Sequence, residues 1–102
     1  MPRSRTADAD AVRFGAILRR LRLERGWTLA TLAQRAGLHA AYVSILEQGG
    51  NVPSLSTVLE LLEVLGADAG AVMSELAATR TARRPAAATA APPADEPPAA
   101  PR

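Results

Sequence analysis

The chain has 102 residues, a length that fits one domain, and its 12 basic residues are all Arg, against 10 acidic residues, for a net charge of +2. The absence of Cys excludes disulfides and Cys-ligated zinc, and a single His gives little basis for a His-ligated metal site. Because no apolar run approaches the roughly 20 residues that span a bilayer, and no signal-peptide pattern opens the chain, we expect a cytoplasmic protein with no metal, no cofactor and no membrane partner.

Composition separates both ends of the chain from its middle. No large apolar residue lies beyond Leu76, so the core must form within about the first 76 positions. Residues 77–102 contain eleven Ala and six Pro, and their side chains are too small to offset the entropy cost of ordering the segment. We predict a flexible Arg-containing segment at 1–12, one domain at 13–76 and a disordered Ala/Pro-rich tail at 77–102.

Glycines divide the middle of the chain into helical segments. Four of them follow runs of helical apolar periodicity, where a C-terminal glycine often ends a helix. These are Gly26, Gly37, Gly49 and Gly66. No stretch alternates between apolar and polar residues as a strand does. The pattern predicts an all-α domain of five short helices, at about 11–25, 28–36, 40–48, after Pro53-Ser54 to Leu65, and from about Asp68.

Apolar spacing predicts which face of each helix is buried. On the first helix the apolar stripe about 100° wide comprises Phe14, Ile17, Leu18 and Leu21. On the fourth helix the predicted core face comprises Leu55, Val58, Leu59, Leu62 and Leu65. Leu61 and Val64 fall outside that arc.

The stretch from Thr28 to Gln48 has the pattern of a helix-turn-helix. Ala33 is small enough for two helices to cross closely, and Gly37 tolerates the positive φ of a tight turn. The remaining apolar positions would fix the angle between the two helices from inside; they are Leu32, Ala36, Leu38, Val43 and Leu46. An ordinary helical hairpin in a small bundle is the alternative.

Three segments extend this pattern into a family resemblance. They read FGAILRRLRLERG at 14–26, LAQRAGLHAAYVSILEQG at 32–49 and PSLSTVLELLEVLG at 53–66. Together they resemble the lambda-repressor-like, or XRE-type (Cro-like), helix-turn-helix domains, and in particular small bacterial regulators of the restriction-modification controller type. The resemblance implies a compact five-helix fold, a homodimer, and a third helix that enters the major groove of DNA.

The resemblance also implies which residues contact DNA. The exposed face of the third helix would read base edges, and backbone amides at the start of the second helix would meet a phosphate. The positions so assigned are Thr28, Leu29, His39, Ala40, Ala41, Tyr42, Ser44, Ile45, Gln48 and Asn51.

The distribution of charge along the chain does not favour DNA contact by these residues. Residues 1–26 hold seven Arg and three acids, whereas residues 27–66 hold one Arg and three acids, so the expected binding half is acidic. Phosphate neutralisation usually supplies much of the affinity for DNA. This distribution favours an alternative, in which the domain keeps its fold but binds a protein partner.

Two charged residues are predicted to form a structural ion pair. Glu47 ends the third helix, where the helix dipole disfavours an anion, so a cationic partner is expected nearby. Arg22 borders the core face of the first helix, and the family resemblance pairs these two positions. The alternative is two unrelated surface charges.

Apolar residues on the last two helices suggest a dimer contact. Leu61 and Val64 lie outside the predicted core arc, and Val72 and Met73 follow on the fifth helix. We expect these four residues to form the dimer interface, although they could be ordinary surface residues.

Taken together, these features predict a DNA-binding transcription regulator. It would act as a homodimer on a promoter-proximal site, at the nucleoid when bound, with double-stranded DNA and a second copy of itself as partners. The sequence contains no nucleophile–base pair, clustered carboxylate pair or phosphate-binding glycine loop, so an enzyme is not expected.

Overall fold

The computed structural model describes residues 8–83. It contains five α-helices and, within that range, no strand, which confirms the all-α prediction. The bounds are Ala9–Glu24 (α1), Leu29–Ala36 (α2), Ala40–Glu47 (α3), Leu55–Leu65 (α4) and Ala69–Arg83 (α5).

Side-chain caps fix where four of the helices begin. The capping residues each accept a hydrogen bond from the backbone amide three residues later, at 3.0, 3.0, 3.1 and 3.2 Å; they are Asp8, Thr28, Ser54 and Asp68. Each bond satisfies one of the amides that the first turn of a helix leaves unpaired. Short polar residues just ahead of the helices therefore position α1, α2, α4 and α5 along the chain.

All five helices contribute to one core. Its buried members are Phe14, Ile17, Leu18, Leu32, Ala33, Val43, Leu46, Val58, Leu61, Leu62, Leu65 and Val72. Burial of a Leu side chain contributes roughly 1.5–3 kcal/mol relative to exposure, so this cluster is the main source of stability.

The buried face of α4 differs from the prediction. Leu55 and Leu59 are exposed, whereas Leu61 is completely buried. The core stripe is Val58, Leu61, Leu62 and Leu65, which has the i, i+3, i+4, i+7 spacing. Seven of the 11 residues of α4 are apolar, so two overlapping stripes satisfy helical periodicity and packing selects between them.

Both predicted domain boundaries also shift. Helix α1 begins at Ala9 and buries Ala11, so the flexible segment cannot extend to residue 12. Helix α5 continues to Arg83, so the tail cannot begin at residue 77. The rest of the predicted tail, 84–102, and the N-terminal Arg3 and Arg5 lie outside the described residues.

Side-chain pairs attach the long helix α5 to α1. Arg20 donates two hydrogen bonds to the Glu75 carboxylate, at 2.8 and 3.1 Å, and Arg80 lies 3.4 Å from Asp10. The hydrogen bonds from Arg20 hold the pKa of Glu75 below its usual value.

Candidate nucleic-acid interface

A glycine turn joins α2 to α3. Gly37 has φ +72°, in the left-handed region, and its amide donates to the Gln34 carbonyl. The Leu38 amide then donates back to the Ala33 carbonyl at 2.8 Å. These bonds satisfy carbonyls at the end of α2. The chain changes direction at Gly37, and α3 begins three residues later at Ala40.

The angle between the two helices is fixed from inside. Leu32 and Ala33 of α2 and Val43 and Leu46 of α3 are buried in the core. Ala33 is 2% exposed, and its small side chain is compatible with the predicted close crossing of the two helices. The pair is therefore a rigid unit whose outer surface is determined by the exposed residues of α3.

Helix α3 presents a mostly apolar outer face. Ala40, Ala41 and Ile45 are exposed, and 41% of Ile45 is accessible. Ser44 is half-buried and Gln48 is exposed. Gln48 Nε2 donates a hydrogen bond to Ser44 Oγ at 3.1 Å. We refer to these five residues as the α3 face. At 100° per residue they span about 140° of the helix surface, so they form one continuous face.

The other residues assigned to DNA contact surround this face or pack beneath it. Thr28, His39 and Asn51 are exposed, and His39 precedes α3 without a side-chain capping bond. Leu29 and Tyr42 are half-buried and pack against the core. The side chain of Leu29 is thus turned inward, and its backbone amide, in the first turn of α2, is the group that can meet a phosphate.

Arg22 and Glu47 connect α1 to the end of α3. Arg22 Nε lies 2.7 Å from Glu47 Oε2, and Nη2 donates to Oε1 at 3.0 Å. The Arg22 and Glu47 side chains are only 9% and 6% exposed. The remaining guanidinium nitrogen donates to the Trp27 carbonyl at 2.8 Å. The hydrogen bonds to Glu47 raise the pKa of Arg22.

A direct backbone approach reinforces this connection. A Cβ atom on Gly15 of α1 would overlap the carbonyl oxygen of Leu46 and lie 2.7 Å from that of Glu47. Gly49, at φ +75°, would likewise place a Cβ 2.7 Å from Val12 Cα. The sequence reasoning did not identify Gly15, although a glycine inside a predicted helix was a signal of close approach.

The predicted dimer residues are only partly available to a partner. Leu61 is completely buried and Val72 is 4% exposed, so both belong to the monomer core and their assignment to an interface was wrong. Val64 is half-buried against that core, whereas Met73 is exposed. The exposed large apolar residues of this region are Val52, Leu55, Leu59 and Met73.

Few cations surround the α3 face. Arg35 is the one Arg in the stretch 27–66, and its guanidinium lies 4.7 Å from the centre of the Trp27 ring. Arg22 and Arg20 are held by carboxylates.

Among residues 8–83, no group of three His, Cys, Asp or Glu side chains could hold a metal ion. Within the same range, no helix is long and apolar enough to cross a membrane.

Two short helices joined by a tight turn, the second with an open outer face, define a helix-turn-helix protein. The helix-turn-helix domain family matches residues 13–76, and the chain belongs to this family. A comparison with curated proteins finds no significant match.

Solved structures of two regulators are similar to the chain. The clp gene regulator ClgR from Corynebacterium glutamicum is 30% identical, with a TM-score of 0.65 over 71% of this chain and 94% of that one. The restriction-modification controller protein C.AhdI from Aeromonas hydrophila is 38% identical, with a TM-score of 0.60 over 63% of this chain and 93% of that one. These likenesses place the chain among DNA-binding transcription regulators.

Proposed function

We propose that the chain binds double-stranded DNA as a homodimer, with α3 in the major groove, and regulates transcription by occupying a promoter-proximal site. The α3 face carries this proposal, because a rigid helix pair leaves it uncovered. In helix-turn-helix proteins the N-terminal residues of the second helix contact base edges. The similarity to a gene regulator and to a restriction-modification controller supports the same role.

The first turn of α2 would position the protein on the DNA backbone. Thr28 caps the amide of Thr31, which leaves the amides of Leu29 and Ala30 without an acceptor in the helix. Backbone amides at a helix N-terminus attract phosphate oxygens. Thr28, His39, Tyr42, Gln48 and Asn51 would add polar contacts at the edge of the groove. Such contacts fix register and orientation without reading sequence.

A dimer would bury apolar surface that the monomer leaves exposed. Leu55 and Leu59 lie one turn apart on α4. Met73 of α5 and Val52 line a groove of about 230 Å³ together with the half-buried Leu76. We propose that these α4 and α5 surfaces, with Val64 at their margin, form the contact between copies. The spacing of two DNA half-sites would follow from the dimer geometry.

A single substitution on the α3 face tests the proposal. Ala41→Glu places an anion in the groove, so it should abolish binding to genomic DNA fragments in a gel-shift assay at low salt, while the melting temperature stays unchanged. Ala78→Glu is the matched control, because it adds the same charge at an exposed position of α5. If Ala41→Glu binds like the parent, α3 does not contact the DNA.

The acidic stretch 27–66 favours a second candidate, a protein-interaction module that retains the helix-turn-helix fold. In this case the exposed apolar residues of α4 and α5 would bind another protein. A parent chain that binds no fragment even at low salt, where electrostatic attraction is strongest, would support this second function over the first.

A further inference from the structure

The α3 face lacks the side chains that most often distinguish base pairs. Arg and Lys read guanine, and Asn and Gln read adenine, through paired hydrogen bonds in the major groove. No Arg, Lys or Asn lies on this face, and its one Gln stands at its C-terminal end. Ala40 and Ala41 present only methyl groups at the N-terminal end, which is the part of the helix that approaches the bases, and Ile45, one turn further on, presents only methyl and methylene groups.

The α3 face has only two polar side chains, and they are hydrogen bonded to each other. Gln48 Nε2 donates to Ser44 Oγ at 3.1 Å, which leaves the Ser44 hydroxyl hydrogen, one N–H of Gln48 and Gln48 Oε1 as the polar groups of the face that can bond a base. Gly50 leaves Ile45 accessible on the adjoining side, since a Cβ there would lie 3.0 Å from Ile45 Cγ2. The atoms that are free to contact a base edge are therefore mostly carbon.

The feature of a base edge that complements such a surface is the 5-methyl group of thymine, the apolar group in the major groove. We infer that the α3 face reads 5-methylpyrimidines, with Ala41 and Ile45 contacting thymine methyl groups in each half-site. Ala41 and Ile45 are four residues apart, about 6 Å along the helix axis, which corresponds to about two base-pair steps at roughly 3.4 Å each. This inference rests on the proposed DNA-binding function.

The chemistry also predicts tolerance of one particular replacement. A 5-methylcytosine carries its methyl group at the same ring position as thymine. Because the face has few groups that test the hydrogen-bonding edge, the methyl group matters more to binding than the rest of the pyrimidine. A change from thymine to cytosine should weaken binding, and a change to 5-methylcytosine should weaken it less.

The experiment begins with selection of a duplex from a random double-stranded DNA library at low salt. Each thymine of the selected duplex is then replaced by deoxyuridine, which removes only the methyl group. Loss of one contacted methyl should weaken binding about four-fold, from about 0.8 kcal/mol for each buried carbon group. Titration by fluorescence anisotropy measures the change, and thymines outside the half-sites serve as controls.

The Ile45→Ala variant distinguishes methyl contact from altered DNA shape. Ile45 is exposed, so this variant should fold like the parent, which its melting curve checks. The variant should lose sensitivity to deoxyuridine at one thymine of each half-site, whereas an effect of DNA shape would persist. Equal binding of the thymine and deoxyuridine duplexes by the parent overturns the inference and leaves DNA binding intact. If no duplex is enriched, both the inference and the proposed function fail.

Discussion

Arg22 is a buried cation with three hydrogen bonds. It donates to both carboxylate oxygens of Glu47 and to the carbonyl of Trp27. These bonds join the C-terminal ends of α1 and α3 to the loop between α1 and α2. A buried ion pair of this kind adds little net stability over an apolar pair, but removal of one partner leaves a charge without compensation. The main effect of this ion pair on the fold is therefore to fix the orientation of α1 relative to α3.

Arg22→Met should lower the free energy of unfolding by about 3–5 kcal/mol, because it leaves the Glu47 carboxylate buried without a partner. The double variant Arg22→Met with Glu47→Leu should recover part of this loss, because neither charge remains. Denaturant titration of the parent, both single variants and the double variant measures the coupling. If the losses of the single variants simply add, the two side chains do not interact in solution.

Gly15 controls the distance between α1 and α3. Ala is intrinsically better than Gly inside a helix by about 1 kcal/mol, so Gly15→Ala would stabilise an isolated α1. In the folded chain its Cβ meets the carbonyl oxygens of Leu46 and Glu47, which belong to the backbone and cannot rotate away. We expect a net loss of about 1–3 kcal/mol in unfolding free energy.

Gly70→Ala of α5 is the control for this substitution. A Cβ at Gly70 would lie 3.2 Å from Oδ1 of the exposed Asp68, which accepts from the Ala71 amide, so this substitution disturbs at most one exposed capping bond and meets no backbone atom of another helix. Thermal melting of both variants should show a clear loss for Gly15→Ala and little change for Gly70→Ala. Equal melting temperatures would show that α1 and α3 are not in close backbone contact.

At the scale of elements, α5 is attached to α1 partly through charge. The folded state holds the pKa of Glu75 below its usual value of 4.5 by hydrogen bonds from Arg20. A carboxyl group with a lowered folded pKa stabilises the fold above its unfolded pKa and loses that contribution as pH falls through the folded pKa. Both side chains are about half exposed, so the contribution is small.

Glu75→Gln should therefore reduce the melting temperature slightly at neutral pH and have no effect once the pH is below the lowered folded pKa of Glu75, where the parent carboxylate is protonated. Melting curves between pH 2 and 7 (roughly the range over which carboxyl groups titrate) compare the two proteins. A difference between parent and variant that stays constant over this range would exclude a role for the charge of Glu75.

The proposed dimer contact is formed by exposed apolar residues of α4 and α5. If Leu59 and Met73 lie in the dimer contact, the double variant Leu59→Asp with Met73→Asp should be a folded monomer, because each change would bury an unpaired carboxylate. Sedimentation measures the mass. Leu23→Asp is the control, since Leu23 is an exposed leucine on α1. A dimer that survives the double change, or a parent that is already a monomer, contradicts this interface.

At the scale of the whole molecule, the distribution of charge limits how DNA can be held. The net charge is +2, and the single Arg between residues 27 and 66 lies over Trp27. Positioning would depend more on backbone amides and neutral polar groups than on cations. Electrostatic steering by the domain itself should accordingly be modest.

This distribution predicts a moderate salt dependence of DNA binding. If Arg side chains made all of about three to five phosphate contacts per subunit, the slope of log affinity against log salt would be roughly −5 to −9 per dimer, at about −0.9 per neutralised phosphate. Because neutral groups would make most of these contacts, the slope should be shallower than this range. Fluorescence anisotropy at several salt concentrations gives the slope. A much steeper slope would show that additional cations, such as those near the N terminus, reach the DNA.

The local pattern of the sequence was sufficient to predict the five helices and the turn between α2 and α3. Gly37 follows an apolar run, and Thr28 and Ser54 precede such runs, so short-range chemistry alone fixes these ends. The ion pair between Arg22 and Glu47 could also be predicted from the sequence, because an acid at the C-terminal end of a helix is favoured only with a cation nearby. These features depend on neighbours in sequence or on matched motif positions.

Features that depend on distant neighbours required the tertiary structure. The sequence could not decide whether Leu59 or Leu61 enters the core, because both fit a helical stripe and only the packed helices exclude one of them. Nor did it show that Gly15 meets the end of α3, or that α5 extends to Arg83 beside α1. The physical reason is the same in each case: periodicity defines a helix and its apolar sides, whereas contacts between helices determine which side is buried.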